Sequence, residues 1–300
     1  MRVTHPSNKH RHQARTGTAL LVTWLVWGSS YLAIKIGLTG FPPLLLGAIE
    51  TGLAAIFLCG LCAIKKYPVP EPRQWLRMAA VALFLVLGCT GLTNIGTGKV
   101  DSWIAAGILA CVPIIATLLD RAMGKPIHRR EIAGTILAAA GVAMLVYRPG
   151  ADPGTLSGIA ILTGAALSWV TGSVIAKRAE LPNPLVTAAG TVAIGSLMLL
   201  ALSWATGEQA PATIPIPAML AAGWLGIMGS GLAFLCFTWL NTHVRPAISQ
   251  SYATVNPVVA AGLGAMIAGE AVGLKGAGAI AMIALGVAIS LTNHMSEQSG

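Results

Sequence analysis

The stretch W-G-S-S-Y-L-A-I-K at residues 27–35 returns as W-V-T-G-S-V-I-A-K at residues 169–177, with Trp27 and Lys35 both displaced by 142 positions onto Trp169 and Lys177. Working outward, V-P-I-I-A-T from Val112 answers N-P-V-V-A-A from Asn256, with Pro113 and Pro257 separated by 144. G-V-A at Gly141 answers G-V-A at Gly286, displaced by 145. A near-constant offset held over more than a hundred residues is an internal repeat with small insertions.

The medium around that repeat follows from composition. Of 300 residues, 55% are hydrophobic and 10% charged, against about 25% charged in an ordinary soluble domain. Such a chain has too little polar surface for water, so its solvent is lipid. A spanning helix needs about 20 mostly apolar residues. Stretches of that kind are read at 17–38, 43–64, 75–96, 101–122, 131–147, 155–176, 185–205, 217–239, 246–268 and 274–292. The apolar runs are continuous, not alternating, which selects helices over a barrel.

The expected fold is therefore an all-α membrane protein of ten transmembrane helices. Residues 1–16 form an N-terminal tail, 17–148 a first five-helix repeat, 155–292 a second, and 293–300 a C-terminal tail. Five is odd, so the second copy enters the membrane upside down. A 5+5 inverted-topology repeat of this kind recurs in secondary transporters, where two exchangeable halves let a midplane site face either side in turn.

The formal charge of +9 would suggest a nucleic-acid partner in a soluble protein, but its distribution carries the information. Loops on the side of the termini hold Arg2, Lys9, Arg11, Arg15, Lys65, Lys66, Arg73, Arg77, Arg121, Lys125, Arg129, Arg130, Lys177, Arg178 and Arg245. The opposite loops hold only Lys99, Arg148 and Lys275. The positive-inside rule then places both termini in the cytoplasm of a multi-pass protein in the cell's inner membrane, and no nucleic acid is needed.

No small-residue cleavage pattern follows the first apolar run, which is expected to stay as an uncleaved span behind a solvated basic tail. Cys59 and Cys62 have the spacing of a redox pair. Inside an apolar helix without His or acidic neighbours they read as small core residues. No metal and no cofactor are expected, and the oligomeric state is left open, a monomer included.

Ionisable groups within lipid cost about 2.5 to 3.5 kcal/mol at the helix centre, so each requires a reason. Lys35 and Glu50 both fall about 10 Å below the outer end of consecutive antiparallel helices at about 1.5 Å of rise per residue. They are expected to meet, either as a structural ion pair or as groups that contact substrate or couple a proton. Trp27 and Trp169 lie about 12 Å inward of their lysines. They either stack a substrate in a midplane cavity or pack against Gly and Ala.

Ser249, Tyr252 and Asn256 recur at i, i+3 and i+7, on one helical face, and Pro257 and Pro113 loosen the backbone of the matching spans. Such a face suits a protein-lined cavity or a polar helix contact. Ser30 on the first span, Thr90 and Asn94 on the third, and Ser230, Phe234 and Thr238 on the eighth form similar stripes. The candidate cavity is thus Trp27, Ser30, Lys35, Asn94, Trp169, Ser249, Tyr252 and Asn256.

W-G-S-S-Y-L-A-I-K-I-G with F-P-P-L-L-L-G-A behind it, and A-I-S-Q-S-Y-A-T-V-N-P-V-V-A-A followed by A-G-E at 268–270, resemble the EamA-type exporters of the drug/metabolite transporter superfamily. The likeness covers nearly the whole chain. It implies a ten-helix inner-membrane exporter, in a family many of whose members export amino acids or related metabolites, aromatic amino acids among them. Two positions depart from the family pattern. Glu50 stands where a basic residue is usual early in the second span, and Gly124-Lys125 replaces the Gly-Glu that often closes the fourth, although Gly269-Glu270 keeps it in the second repeat.

Intramembrane enzymology is disfavoured: there is no H-E-x-x-H, no G-x-S-x-G and no paired intramembrane aspartates, and without a P-loop the chain does not hydrolyse ATP. A channel would call for charged rings or a filter. The expectation is a secondary exporter of small organic metabolites, amino acids above all, working by alternating access, with a multidrug or other metabolite facilitator as the alternative.

Overall fold

The computed structural model describes residues 6–122, 124, 129–146, 153–244 and 246–292, and these are helical with no strand among them. The helices are α1 (Pro6–Gly37), α2 (Pro43–Ile64), α3 (Pro72–Thr97), α4 (Ser102–Leu119), α5 (Arg129–Val146), α6 (Pro153–Arg178), α7 (Pro184–Ala205), α8 (Ile216–Leu240), α9 (Tyr252–Ile267) and α10 (Leu274–Thr292). Seven of them, α1 to α4 and α6 to α8, are long and apolar enough to cross a membrane, and α9 and α10 are shorter apolar helices. Helix α5, over the expected fifth span, is 18 residues long and carries Arg129, Arg130 and Glu131 in its first turn, which lowers its apolar character.

Helix α1 begins at Pro6, well before the expected boundary of the basic tail. Once an apolar span has paid the nucleation cost, extension into flanking residues adds a hydrogen bond for each residue fixed. Lys125, Arg148, Arg245 and the tail 293–300 lie outside the described residues. Large apolar side chains such as Ile56, Leu197 and Met266 point outward and are mostly exposed, the pattern of a surface made for acyl chains.

The two expected proline sites differ. Helix α4 is interrupted at Ala110–Cys111, immediately before Pro113, whose ring removes a donor from the ladder. Pro257 is accommodated inside α9 without a break. The expected ninth span is interrupted earlier instead, at Gln250–Ser251, after a single turn at Pro246–Ser249. There the Ser251 hydroxyl donates to the Ile248 carbonyl at 2.7 Å and accepts from Trp24 Nε1 at 3.0 Å. This local competition for backbone groups ends the helix. The face read as Ser249, Tyr252 and Asn256 is consequently split, with Ser249 before the interruption.

Helices α3 and α8 each contain a π-helical stretch, Leu83–Thr90 and Trp224–Ala233. Their starts are 141 residues apart, close to the displacement of the matched tryptophans. The wider turn leaves carbonyls available to other helices. Trp27 Nε1 of α1 donates to the Gly229 carbonyl at 3.2 Å, and Ser168 Oγ of α6 donates to the Phe84 carbonyl at 2.9 Å. The helices that carry the two copies of the tryptophan motif thus each engage the π stretch of the other copy.

The closest helix crossing joins α5 to α10. A Cβ on Gly286 would lie 2.6 Å from the Gly134 carbonyl oxygen and from the Ala138 backbone nitrogen, and a Cβ on Gly134 would meet the Gly286 carbonyl. Beside this crossing the main buried cluster gathers Trp103, Ile104, Ile108, Leu162 and Ile283.

Candidate functional site

Two Gly-Glu pairs shape one end of the bundle. Gly207 (φ +75°) and Gly269 (φ +64°) follow the C-termini of α7 and α9 in the left-handed region, where a Cβ would be strained and glycine is favoured. The next residue in each case turns back onto another helix. Glu208 accepts from the backbone N–H of Leu44 and Leu45 at the start of α2, at 3.1 and 2.9 Å, and from Ser203 Oγ at 2.8 Å. Glu270 accepts from the Ser102 N–H at 3.0 and 3.1 Å and from Ser102 Oγ at 2.7 Å.

A carboxylate at a helix N-terminus satisfies orphan donors and meets the positive end of the helix dipole. Asp101 holds the N-cap position of α4 but makes no capping bond; the cap comes from Glu270. Lys35 closes the cluster, with Nζ 3.1 Å from Glu270 and 3.7 Å from Asp101.

Glu50 is not the partner of Lys35, contrary to the expectation. Helix α1 packs chiefly on α8 and α9, and α2 on α7 and α8, so α8 is wedged between two helices that are consecutive in sequence. Equal depth therefore did not bring the charges together. Lys35 joins the Glu270 cluster, whereas Glu50 lines a cavity.

That cavity holds about 480 Å³, within the range of about 300–1,000 Å³ usual for small-molecule sites. It runs from Ile34 and Asn94, near the capped end, to Leu181, Pro182 and exposed Pro184 in the connection between α6 and α7 at the other end. Of the candidate residues, Trp27, Ser30, Asn94, Trp169, Tyr252 and Asn256 line it, as does Glu50; Lys35, Ser249, Pro113 and Pro257 do not.

An aromatic corner stands on one wall. Trp27 lies 4.8 Å from Tyr252, edge-on, and 5.0 Å from Phe237, with Phe237 5.4 Å from Tyr252 between ring centroids. Asn94 Nδ2 donates to the Pro43 carbonyl at 3.2 Å, while its Oδ1 and that of Asn256 are buried without a hydrogen-bond partner. Both oxygens are buried acceptors left without a partner on residues that line the cavity. Replacing Trp27 by Phe will keep the aromatic corner and strand the Gly229 carbonyl. The expected cost is about 1–2 kcal/mol, read as a lower melting temperature in detergent.

Sequence reasoning missed Tyr31 and Phe237, which look like ordinary apolar-span aromatics, and the joint role of Asp101, Ser102 and Glu208. The Gly-Glu dipeptides after two apolar runs were the available signal.

The EamA-like transporter family matches twice in tandem, over residues 16–147 and 156–292. The chain belongs to the EamA-like transporter family. It is 31% identical over 253 residues, 84% of this chain and 82% of the relative, to the "Uncharacterized inner membrane transporter YedA" of Escherichia coli K12. It is 25% identical to the "Probable terminal-alkyne amino-acid exporter" of Streptantibioticus cattleyicolor, covering 79% of each chain. It is 23% identical to the "Probable amino-acid metabolite efflux pump" of Salmonella typhimurium, covering 90% of this chain and 93% of the relative. One solved crystal structure shares the fold at a TM-score of 0.67 and 21% identity, covering 92% of this chain and 98% of that one. This EamA-like protein is a membrane transporter and not an enzyme.

Proposed function

We propose that the protein is a secondary exporter that carries small organic metabolites, amino acids with aromatic ones included, out of the cytoplasm across the inner membrane. Transport proceeds by alternating access of two inverted five-helix halves around the cavity, with both termini cytoplasmic. The observation that supports this reading is a cavity of about 480 Å³ whose lining reaches from Ile34, next to the lysine that pairs with Glu270, to exposed Pro184 between α6 and α7. The Pro184 end is the one where Arg77 of α3 meets Glu180 beyond α6, on the side of the abundant basic residues. Relatives with amino-acid export in their names support the substrate class. The aromatic corner also suits a multidrug or other metabolite facilitator.

In this scheme the Glu270 and Glu208 contacts close the outer side and must separate for release. The test is flux of labelled amino acids into liposomes containing the purified protein, with and without a pH gradient. Concentration-dependent, saturable flux of at least one aromatic amino acid is expected. Flux of none of the panel overturns the amino-acid reading, and flux indifferent to the gradient assigns facilitated diffusion.

A further inference from the structure

Glu50 is 5% exposed, its Oε2 has no hydrogen-bond partner, and it enters no ion pair among the described residues. It lines the cavity, and no Lys, Arg or His does so among the described residues. Leaving a carboxyl in an apolar setting without a counter-charge is costly. The packing that holds it there is tight, because α8 comes so close to α2 that a Cβ on Gly226 would sit 2.7 Å from the Glu50 carbonyl oxygen. Helix α2 is therefore held against α8 at the turn that carries Glu50.

We propose that Glu50 is the anchor for the ammonium group of the transported molecule, so that the site selects primary organic amines with an apolar or aromatic body and has no charged partner for a carboxylate. The proposal rests on the transport reading and deepens it. An ammonium at Glu50 supplies the missing counter-charge. It leaves the rest of the ligand against a wall that includes Trp27, Tyr31, Trp169, Phe234 and Tyr252. Faces of such rings attract cationic and aromatic groups alike. The other polar groups of the lining, Asn94, Asn256 and hydroxyls such as those of Ser30, Thr51 and Tyr252, are uncharged. With one acidic and no basic side chain on its wall, the site provides a charged partner for the amine and none for the carboxylate of an amino acid.

The test measures binding to the purified full-length protein by tryptophan fluorescence, with phenethylamine, phenylalanine and N-acetylphenylalanine as probes. Phenethylamine is expected to bind at least as tightly as phenylalanine, and N-acetylphenylalanine, which lacks the ammonium, weaker by roughly 10- to 100-fold. In Glu50→Gln the advantage of the two amines should vanish. Removing an unpaired buried charge does not weaken packing, and monodispersity on gel filtration checks this. The ligand comparison on the unmodified protein stands if that variant fails to fold. Equal binding of N-acetylphenylalanine, absence of phenethylamine binding at millimolar concentration, or undiminished amine preference in a folded Glu50→Gln protein overturns the proposal. Binding with the expected order but without flux in liposomes would instead overturn the transport scheme.

Discussion

Glu270→Ala will destabilise the protein by about 3 kcal/mol, because removing one partner of a buried charge pair leaves the other uncompensated. Three losses coincide in this variant: the bonds to the Ser102 N–H, the bond to its hydroxyl, and the pairing with Lys35. The Lys35 side chain is 30% exposed and keeps Asp101 at 3.7 Å, which holds the effect at the lower end of the range for buried pairs. The measurement is the apparent melting temperature in detergent, expected to fall by several degrees.

Glu208→Ala loses backbone caps without breaking an ion pair, so a smaller decrease of about 1 kcal/mol is expected. A second readout addresses motion. If the contacts exist only while the outer side is closed, losing about 3 kcal/mol of them shifts the ratio of closed to open states by about 100-fold. Labelling of a cysteine introduced at Ile34 by an impermeant maleimide added from outside should then rise sharply. Unchanged labelling together with an unchanged melting temperature would remove Glu270 from the closure.

Gly286→Leu will abolish folding. The helix backbones of α5 and α10 touch at this residue, and a leucine there must displace the Gly134 carbonyl and the Ala138 backbone, not a yielding side chain. Overpacking costs about 1–3 kcal/mol even where side chains can move. Contact with two backbone atoms of α5 places this substitution above that range. In membranes, small residues at crossings let the backbones approach closely, and enlarging one removes the contact outright. Loss of the monodisperse peak on gel filtration is expected. Gly262→Leu is the control, because a Cβ there meets nothing within 4 Å. A folded Gly286→Leu protein would show that α5 and α10 are not held this closely.

Much of the site was legible because repeats mark positions. Trp27 and Trp169 stood out by their shared displacement, and both line the cavity. Tyr252 and Asn256 were readable from spacing on one face. Spacing gives a face and a depth, however, and not the helix across from it. Lys35 and Glu50 were matched on depth alone, and the insertion of α8 between their helices left one paired with Glu270 and the other on the cavity wall.

The split of the ninth span was hidden for a related reason. Ser249 to Ser251 are tolerable helix residues, and the turn there carries a bond from the Trp24 indole of a distant segment that spacing does not reveal. The π stretches were equally silent, since their composition is that of the apolar helix on either side. Their liberated carbonyls acquire meaning only when Trp27 and Ser168 reach them.

In the transport scheme proposed above, the depth of the cavity also sets where the membrane potential acts. In that scheme, water entering from the cytoplasmic side would carry the cytoplasmic potential towards Ile34 and Asn94, and the voltage would fall between them and the Lys35–Glu270 cluster. Moving one elementary charge across that drop is worth about 2.3 kcal/mol per 100 mV. An ammonium paired with the Glu50 carboxylate makes a neutral couple, and the loaded transition is then electrically silent.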